Sequence, residues 1–373
     1  MENRYKLTAL LAFAAIIAVA CPACGQIVYG QPTTGNLQFI YNNWTLKKSL
    51  VEVGISQTTV PLSGFVPLGE NLEAEFYVAT SSNSLDLSLV ELNLSGLSDF
   101  RLQINRSFAN DALLLSGGVN LPTGKKNLDL SAEWLVLQYL SQNYLNFPTI
   151  RLGEGFGFNL LFGGAAMLGS VRCGAGVMYQ YNGTYKPYAD AGDYNPGDLL
   201  SMNAGGDLQK GLSSLSGDII YNVYTADRLD SKKIFRQSPD ADLRLGWIYD
   251  NRAYAINAGF RYQIRGRNTR YDEGDEILEQ LKLYGNEFSA GGSVIWNIKK
   301  DWSVAPSLEI RLIAGNEQVF GSSKIFGFGG TLGRKLGKNA DFVFGYKYFT
   351  GSTDGGNIDL SGFQLTGGLN IGI

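Results

Sequence analysis

The sequence predicts an all-β fold: one transmembrane antiparallel up-and-down barrel of about 14 strands, within a range of 12 to 16, with a short helix in a long external loop. Three observations predict it. Apolar residues recur with a period of two along most of the chain, as in Tyr254, Ile256, Phe260, Tyr262 and Ile264 against Asn257, Gly259, Arg261, Gln263 and Arg265. The alternating runs span roughly 7 to 12 residues, the length of a tilted bilayer crossing rather than of a strand in a soluble sheet. Connections alternate between tight turns, at residues 109–111, 250–252, 299–301 and 337–339, and long loops, at 123–149, 183–196, 226–238 and 266–283.

From the first residue onward, Arg4 and Lys6 precede the uncharged run LTALLAFAAIIAVA and then small residues, the layout of a secretory signal peptide. That run is too short for a membrane span, which needs about 20 apolar residues. Residues 1–25 are therefore expected to be a cleaved signal peptide, with Cys21 as a lipidation site the minor alternative. Residues 26–50 are less regular, and read as an amino-terminal extension, a first strand or a plug. The barrel is expected over 51–373. Further alternation runs through Leu308, Ile310 and Leu312, through Phe342, Phe344, Tyr346 and Tyr348, and through Phe363, Leu365, Leu369 and Ile371. Trp247, Tyr249, Trp296, Trp302 and Phe342 collect beside tight turns, as an interfacial girdle does.

Composition excludes several functions. Charged residues make up 17 % of the chain and hydrophobics 45 %, so part of the exterior lacks the charge of a water-facing surface. The net charge of -3 offers no polycationic face, and no nucleic-acid partner is expected. There is no histidine, which removes Ser-His and Cys-His nucleophile pairs, HExxH zinc sites and imidazole acid–base chemistry. An enzyme is therefore not expected, nor a metal, nor any cofactor. The acidic run Asp272, Glu273, Asp275, Glu276 departs from EF-hand spacing and reads as a solvated loop. The glycines at 153, 155 and 157, and at 327, 329, 330 and 333, sit in strand-like sequence with no following helix, so they suit close packing in a barrel wall rather than a phosphate cradle.

Candidate site residues follow from parity. The polar face should carry Arg101, Arg244, Arg261, Arg265, Glu309, Arg311 and Lys347 into the lumen, with Arg172, Glu73, Glu75, Asp207, Asp218 and Asp242. Two readings stand: a salt-bridged interior that stiffens the barrel, or a cationic stripe of Arg261, Arg265 and Arg311 that guides a solute. In the loop at 130–147 a helix is expected, ended by Pro148, with Trp134, Tyr139, Tyr144 and Phe147 either forming a constriction or capping the rim.

Two motifs carry a resemblance. Gly96-Leu97-Ser98-Asp99, ahead of one strand, and Leu121-Pro122-Thr123-Gly124, at the end of the next, are similar to a pattern in the outer-membrane channel family named for the meta-pathway of phenol degradation, related to transporters of long-chain fatty acids and aromatic hydrocarbons. The motifs cover about 30 residues. The resemblance implies a bacterial outer-membrane location after export, and passive uptake of small solutes, preferentially hydrophobic or aromatic. The partners so implied are outer-membrane lipid, the solute, and the barrel-assembly machinery acting on the C-terminal strand. The alternative is a structural or adhesive barrel with a closed, salt-bridged interior.

Overall fold

A computed structural model describes residues 33–251, 253–318 and 321–372. The expected signal peptide lies outside the described residues, as do residues 26–32.

The wall opens with three long strands, β1 (Thr34–Lys48), β2 (Val51–Gly69) and β3 (Leu72–Asp86), then β4 (Glu91–Leu97), β5 (Phe100–Phe108) and β6 (Leu113–Leu121). Helix α1 (Glu133–Leu140) lies in the long loop that follows. Next come β7 (Gly157–Leu168), β8 (Val171–Asn182), β9 (Tyr194–Asn195), β10 (Leu199–Lys210), β11 (Ser213–Tyr224), β12 (Asp227–Leu229) and β13 (Lys232–Arg236). The chain continues through β14 (Asp240–Asp250), β15 (Tyr254–Arg265), β16 (Asn268–Tyr271), β17 (Ile277–Leu281) and β18 (Glu287–Lys299). It ends with β19 (Trp302–Ile313), β20 (Ser323–Lys335), β21 (Ala340–Thr353) and β22 (Ile358–Gly372).

Neighbouring wall strands pair antiparallel, and β1 pairs with β22 from Thr34↔Gly372 to Lys47↔Asp359, which closes the barrel and leaves neither terminal strand with a free edge. Seventeen strands fill sixteen wall positions, because β4 and β5 share one. Their pairing on β3 slips by one residue between Thr80↔Leu97 and Tyr77↔Arg101, so Ser98 and Asp99 form a β-bulge. The Ser98 N–H donates to the Ala79 carbonyl (2.7 Å), and the Ala79 N–H donates to Ser98 Oγ (2.8 Å).

Sixteen wall positions stand at the top of the expected range of 12 to 16, two above its centre. Connections such as residues 49–50, 70–71, 169–170 and 211–212 take only two residues, so the chain has length enough for the higher count. The barrel also starts at Thr34 rather than residue 51. Of the readings for 26–50, the first strand holds for residues 34–48, whose inward Asn42, Trp44 and Leu46 are buried.

The tight turns at 109–111, 299–301 and 337–339 and the one around Asn251 all fall at one end, with the start of β1 and the end of β22. The long loops fall at the other, hereafter the loop end. They are not structureless: β9, β12, β13, β16 and β17 build a five-stranded sheet in the order β17-β16-β13-β12-β9 above the wall, where only loops were expected. Strands of two to five residues are too short to show a period.

Outward side chains are apolar along the strands. Leu37, Phe39, Phe162, Ile219, Leu308, Phe328 and Phe344 are all exposed, and Trp247, Trp296 and Phe342 ring the tight-turn end. Each such side chain gains about 1.5–3 kcal/mol on leaving water, so the band is stable only against lipid. The buried core lies instead inside the mouth at the loop end. There Val136, Leu140, Tyr144, Leu145 and Phe147 of the long loop pack against Trp44, Ile55, Leu85, Leu94, Ile325, Phe349 and Leu360 on the inner wall. The helix is shorter than the 130–147 expected, because residues after Leu140 turn down into this core.

Candidate functional site

Strand parity sets the lining of the lumen. Paired residues share a face, and Asp242↔Gln263, Arg244↔Arg261, Arg261↔Ser289 and Ser289↔Arg311 carry one inward face across four wall strands. Arg101, Arg244, Arg261, Arg265, Glu309, Arg311 and Lys347 all lie on the inward face, as do Arg172, Glu73, Glu75, Asp207, Asp218 and Asp242.

On the wall from β11 to β21 these charges form a ladder. Asp242 takes the Arg244 guanidinium at 2.8 Å and that of Arg261 at 2.9 Å. Arg261 Nη2 and Arg265 Nη2 both donate to Gln263 Oε1, at 3.2 and 2.6 Å. Arg265 also pairs with Glu287 (3.2 Å) and donates to the Gly285 carbonyl (2.7 Å). Glu309 takes Lys347 at 2.5 Å and Arg311 at 3.4 Å. Asp240 accepts from Asn222, Tyr224 and Gln263. Arg261, Arg265 and Arg311 therefore make no bare cationic stripe: each has a carboxylate against it, and β18 separates the strands that carry them.

Across the lumen, the wall from β1 to β8 is lined mainly with amides and hydroxyls, with Glu73, Glu75, Arg101 and Arg172 among them. It bounds an inner chamber of about 580 Å³ that reaches Asn36, Tyr77, Arg101, Gln103, Asn120 and Gln180. Arg101 lies 6.0 Å from the Tyr77 ring centroid. Gln103 donates to Asn105, which donates in turn to Glu75.

The long loop closes the mouth over this half. Its start and end meet at the β4–β5 bulge, where Asp99, only 5 % exposed, receives three donors: the Gly124 N–H at 2.8 Å, the Glu154 N–H at 2.7 Å and the Asn120 side chain at 3.0 Å. The backbone adds Asp99 N–H to the Leu152 carbonyl (2.9 Å) and Lys125 N–H to the Leu97 carbonyl (3.0 Å). A Cβ on Gly124 would stand 2.1 Å from the Leu152 carbonyl oxygen, so only glycine fits there. Deeper in the core, Gln57, fully buried, donates to the Thr149 carbonyl (2.6 Å) and to Asn83 Oδ1 (2.7 Å), while the Thr149 N–H donates back to Gln57 Oε1 (3.2 Å). Tyr144 and Phe147 are buried in the plug, and Trp134 and Tyr139 are half-buried against it. Burial and the neighbouring Tyr139 and Asp354 push the Tyr144 phenol up to about 12.

Outside the plug lies a second cavity, a vestibule of about 410 Å³ lined largely by Leu94, Leu128, Trp134, Leu137, Ile150 and Tyr188, with Trp134 edge-on to Tyr188 at 6.0 Å. Tyr194 on its rim donates to Asp227 (2.6 Å), and burial with that carboxylate raises its pKa, so the phenol is neutral. No sequence signal marked this vestibule, whose lining comes from residues 94 to 234. The acidic run at 272–276 caps its own turn: Asp272 Oδ1 accepts the N–H groups of Gly274 and Glu276, and Asp275 accepts that of Lys233. Among the described residues no cluster of potential metal ligands occurs.

No protein-family signature and no curated protein matches the chain. Solved barrels resemble it in outline. The CymD monoaromatic hydrocarbon channel shares 12 % identity over 92 % of this chain and 89 % of its own, with a TM-score of 0.43. A FadL homologue of Pseudomonas aeruginosa gives 7 %, 91 %, 90 % and 0.47, and OpdL of Pseudomonas aeruginosa 11 %, 91 %, 98 % and 0.46.

Proposed function

We propose that this barrel is a channel of the bacterial outer membrane, reached after export through a cleaved signal peptide, for passive uptake of small solutes with a preference for hydrophobic or aromatic ones. Its surroundings would be outer-membrane lipid, and its insertion the work of the barrel-assembly machinery on the C-terminal strand. No enzymatic step belongs to this reading.

The vestibule carries the reading. A cavity walled mainly by leucine, isoleucine, tryptophan and tyrosine, with Lys125, Lys126 and Arg151 also in its lining, suits a ring at the mouth of a barrel, because desolvating an apolar solute there is favourable and stacking on Trp134 and Tyr188 adds to it. The ionic ladder beyond has its charges paired, so it presents dipoles to a passing neutral solute rather than a trap for counter-ions.

The seated plug and the paired ladder favour a second reading, a structural or adhesive barrel whose lumen never conducts. Uptake of a radiolabelled monoaromatic solute by cells bearing the chain separates the two. The Trp134→Ala, Tyr188→Ala double variant is expected to lose about tenfold in uptake, the equivalent of one to two aromatic contacts, with uptake of a disaccharide unchanged. Wild-type uptake no faster than that of cells lacking the chain leaves the structural reading.

A further inference from the structure

The motif residues Gly96-Leu97-Ser98-Asp99 and Leu121-Pro122-Thr123-Gly124 meet at one point, and that point lies between the two cavities. Residues 150–156 form a strap. Its first part, Ile150 to Gly153, lines the vestibule, while Glu154, Gly155 and Phe156 line the inner chamber. The strap therefore stands in the direct path from one to the other. One carboxylate ties the strap to the loop's start and to β6: Asp99 accepts from Gly124, from Glu154 in the strap, and from Asn120, whose amide also donates to the strap carbonyl of Gly155 at 2.8 Å, while the Asp99 and Gly183 N–H groups hold the strap carbonyls of Leu152 and Phe156 at 2.9 and 2.7 Å.

We propose that Asp99, set inward by the β4–β5 bulge, is the latch of a gate formed by residues 150–156. The proposal rests on the channel reading. It goes beyond that reading in naming the moving part and the residue that positions it.

Three physical points favour a gate over a fixed partition. Beside β4 there is no strand of the wall: its outer edge faces the loop, which touches it through two backbone hydrogen bonds, Lys125 N–H to Leu97 and Asp99 N–H to Leu152. A segment held on few backbone bonds opens at lower free energy than one in the ladder. Three further bonds, from Gly124, Asn120 and Glu154, converge on one charged acceptor, so losing it releases three donors together. Finally, the strap contains Gly153 and Gly155, the latter at φ 85°, so its backbone has conformations closed to other residues.

The test uses the full mature chain in planar bilayers with potassium chloride, beside trypsin treatment of cells that carry it. Trypsin reports on Lys125, Lys126 and Arg151 at the neck and strap. In Asp99→Asn the amide keeps the size but turns one acceptor into a donor facing donors. The variant is expected to spend about ten times longer in the conducting state and to be cut at the strap while the barrel stays resistant to detergent at room temperature. Gly124→Ala forces the same neck open by crowding the Leu152 carbonyl and Asp99 while leaving the carboxylate's charge in place, and should behave alike if Asp99→Asn fails to assemble. Conductance and cleavage equal to wild type in either assembled variant overturn the latch. So does faster cleavage with unchanged conductance, which would make the strap mobile but not a gate. Aromatic uptake is read separately, so a variant that conducts more ions in a chain that passes no aromatic solute sinks the substrate reading and leaves the gate standing.

Discussion

The two halves of the barrel wall are built by different rules. From β1 to β8 the inward face carries mostly amides and hydroxyls, with Glu73, Glu75, Arg101 and Arg172 spaced among them, and a loop with its own apolar core sits on it. From β11 to β21 it carries arginines, a lysine and carboxylates in register, the plug reaches it only at its far edge through Ile313, Ile325 and Phe349, and several of its strands lead up into the external sheet. A neutral wall can be covered and uncovered at small electrostatic cost, because amides satisfy one another or water about equally well. A charged wall cannot, since removing water from an ion costs several kcal/mol unless its partner is fixed beside it. The difference teaches where motion is affordable: the strap and most of the plug lie against the half with fewer charges, and the ionic half holds the shape.

The strongest way to break the comparison is in the plug. Leu140 is 1 % exposed among Val136, Leu145 and the inner wall, and Leu140→Ala should cost the plug about 2–5 kcal/mol. Hydrogen exchange should then quicken over residues 133–149 and not in the wall strands. Quickening of both alike would mean that plug and wall are one cooperative unit.

A smaller effect is expected on the ionic half. Asp242→Asn leaves Arg244 and Arg261 without their shared carboxylate, but both arginines are more than a third exposed to the lumen, so water softens the loss to about 1–2 kcal/mol. Urea unfolding in detergent measures it. Conductance of the closed state should not change, whereas a rise would show that the ladder, too, holds the gate.

At neutral pH the smallest effect is that of the Tyr144 phenol. Burial favours its neutral form, with a pKa of about 12 in the seated plug against about 10 for a free tyrosine. The group's folded value is raised, so seating is at full strength below pH 10 and is lost as pH climbs toward 12. Conductance recorded against pH should rise over that window in wild type and be flatter there in Tyr144→Phe. A rise below pH 9 would point to another group.

Much of this wall is legible in the sequence because side-chain parity survives without tertiary information. Arg261 and Glu309 face the lumen simply because their neighbours Phe260, Tyr262, Leu308 and Ile310 suit lipid. Strand number was less legible, since Ser49-Leu50 and Glu70-Asn71 reverse the chain without a glycine or proline, and Pro61 and Pro67 lie inside β2. The sequence could not reveal the pairing of its charges, because Arg265 and Glu287 meet only once the register of two strands is set. Nor could it show what Asp99 and Gly124 do together. Their meeting depends on a bulge of one residue, and Gln57 finds Thr149 across 92 positions.

The seam between β1 and β22 has a consequence for how the molecule forms. Asn36 and Asn370 donate and accept across it at 2.5 Å, although 334 positions separate them. Every other wall contact joins strands near in sequence, and can form as hairpins while the chain is being made or inserted. The seam alone demands closure of a loop as long as the barrel, which is the slowest kind of contact to find. Until it forms, β1 and β22 are two open edges ready to pair with another chain. Zipping that seam is therefore the kinetic commitment step, and lesions in Thr34–Lys48 or Ile358–Gly372 should yield misassembled barrels rather than merely less stable ones.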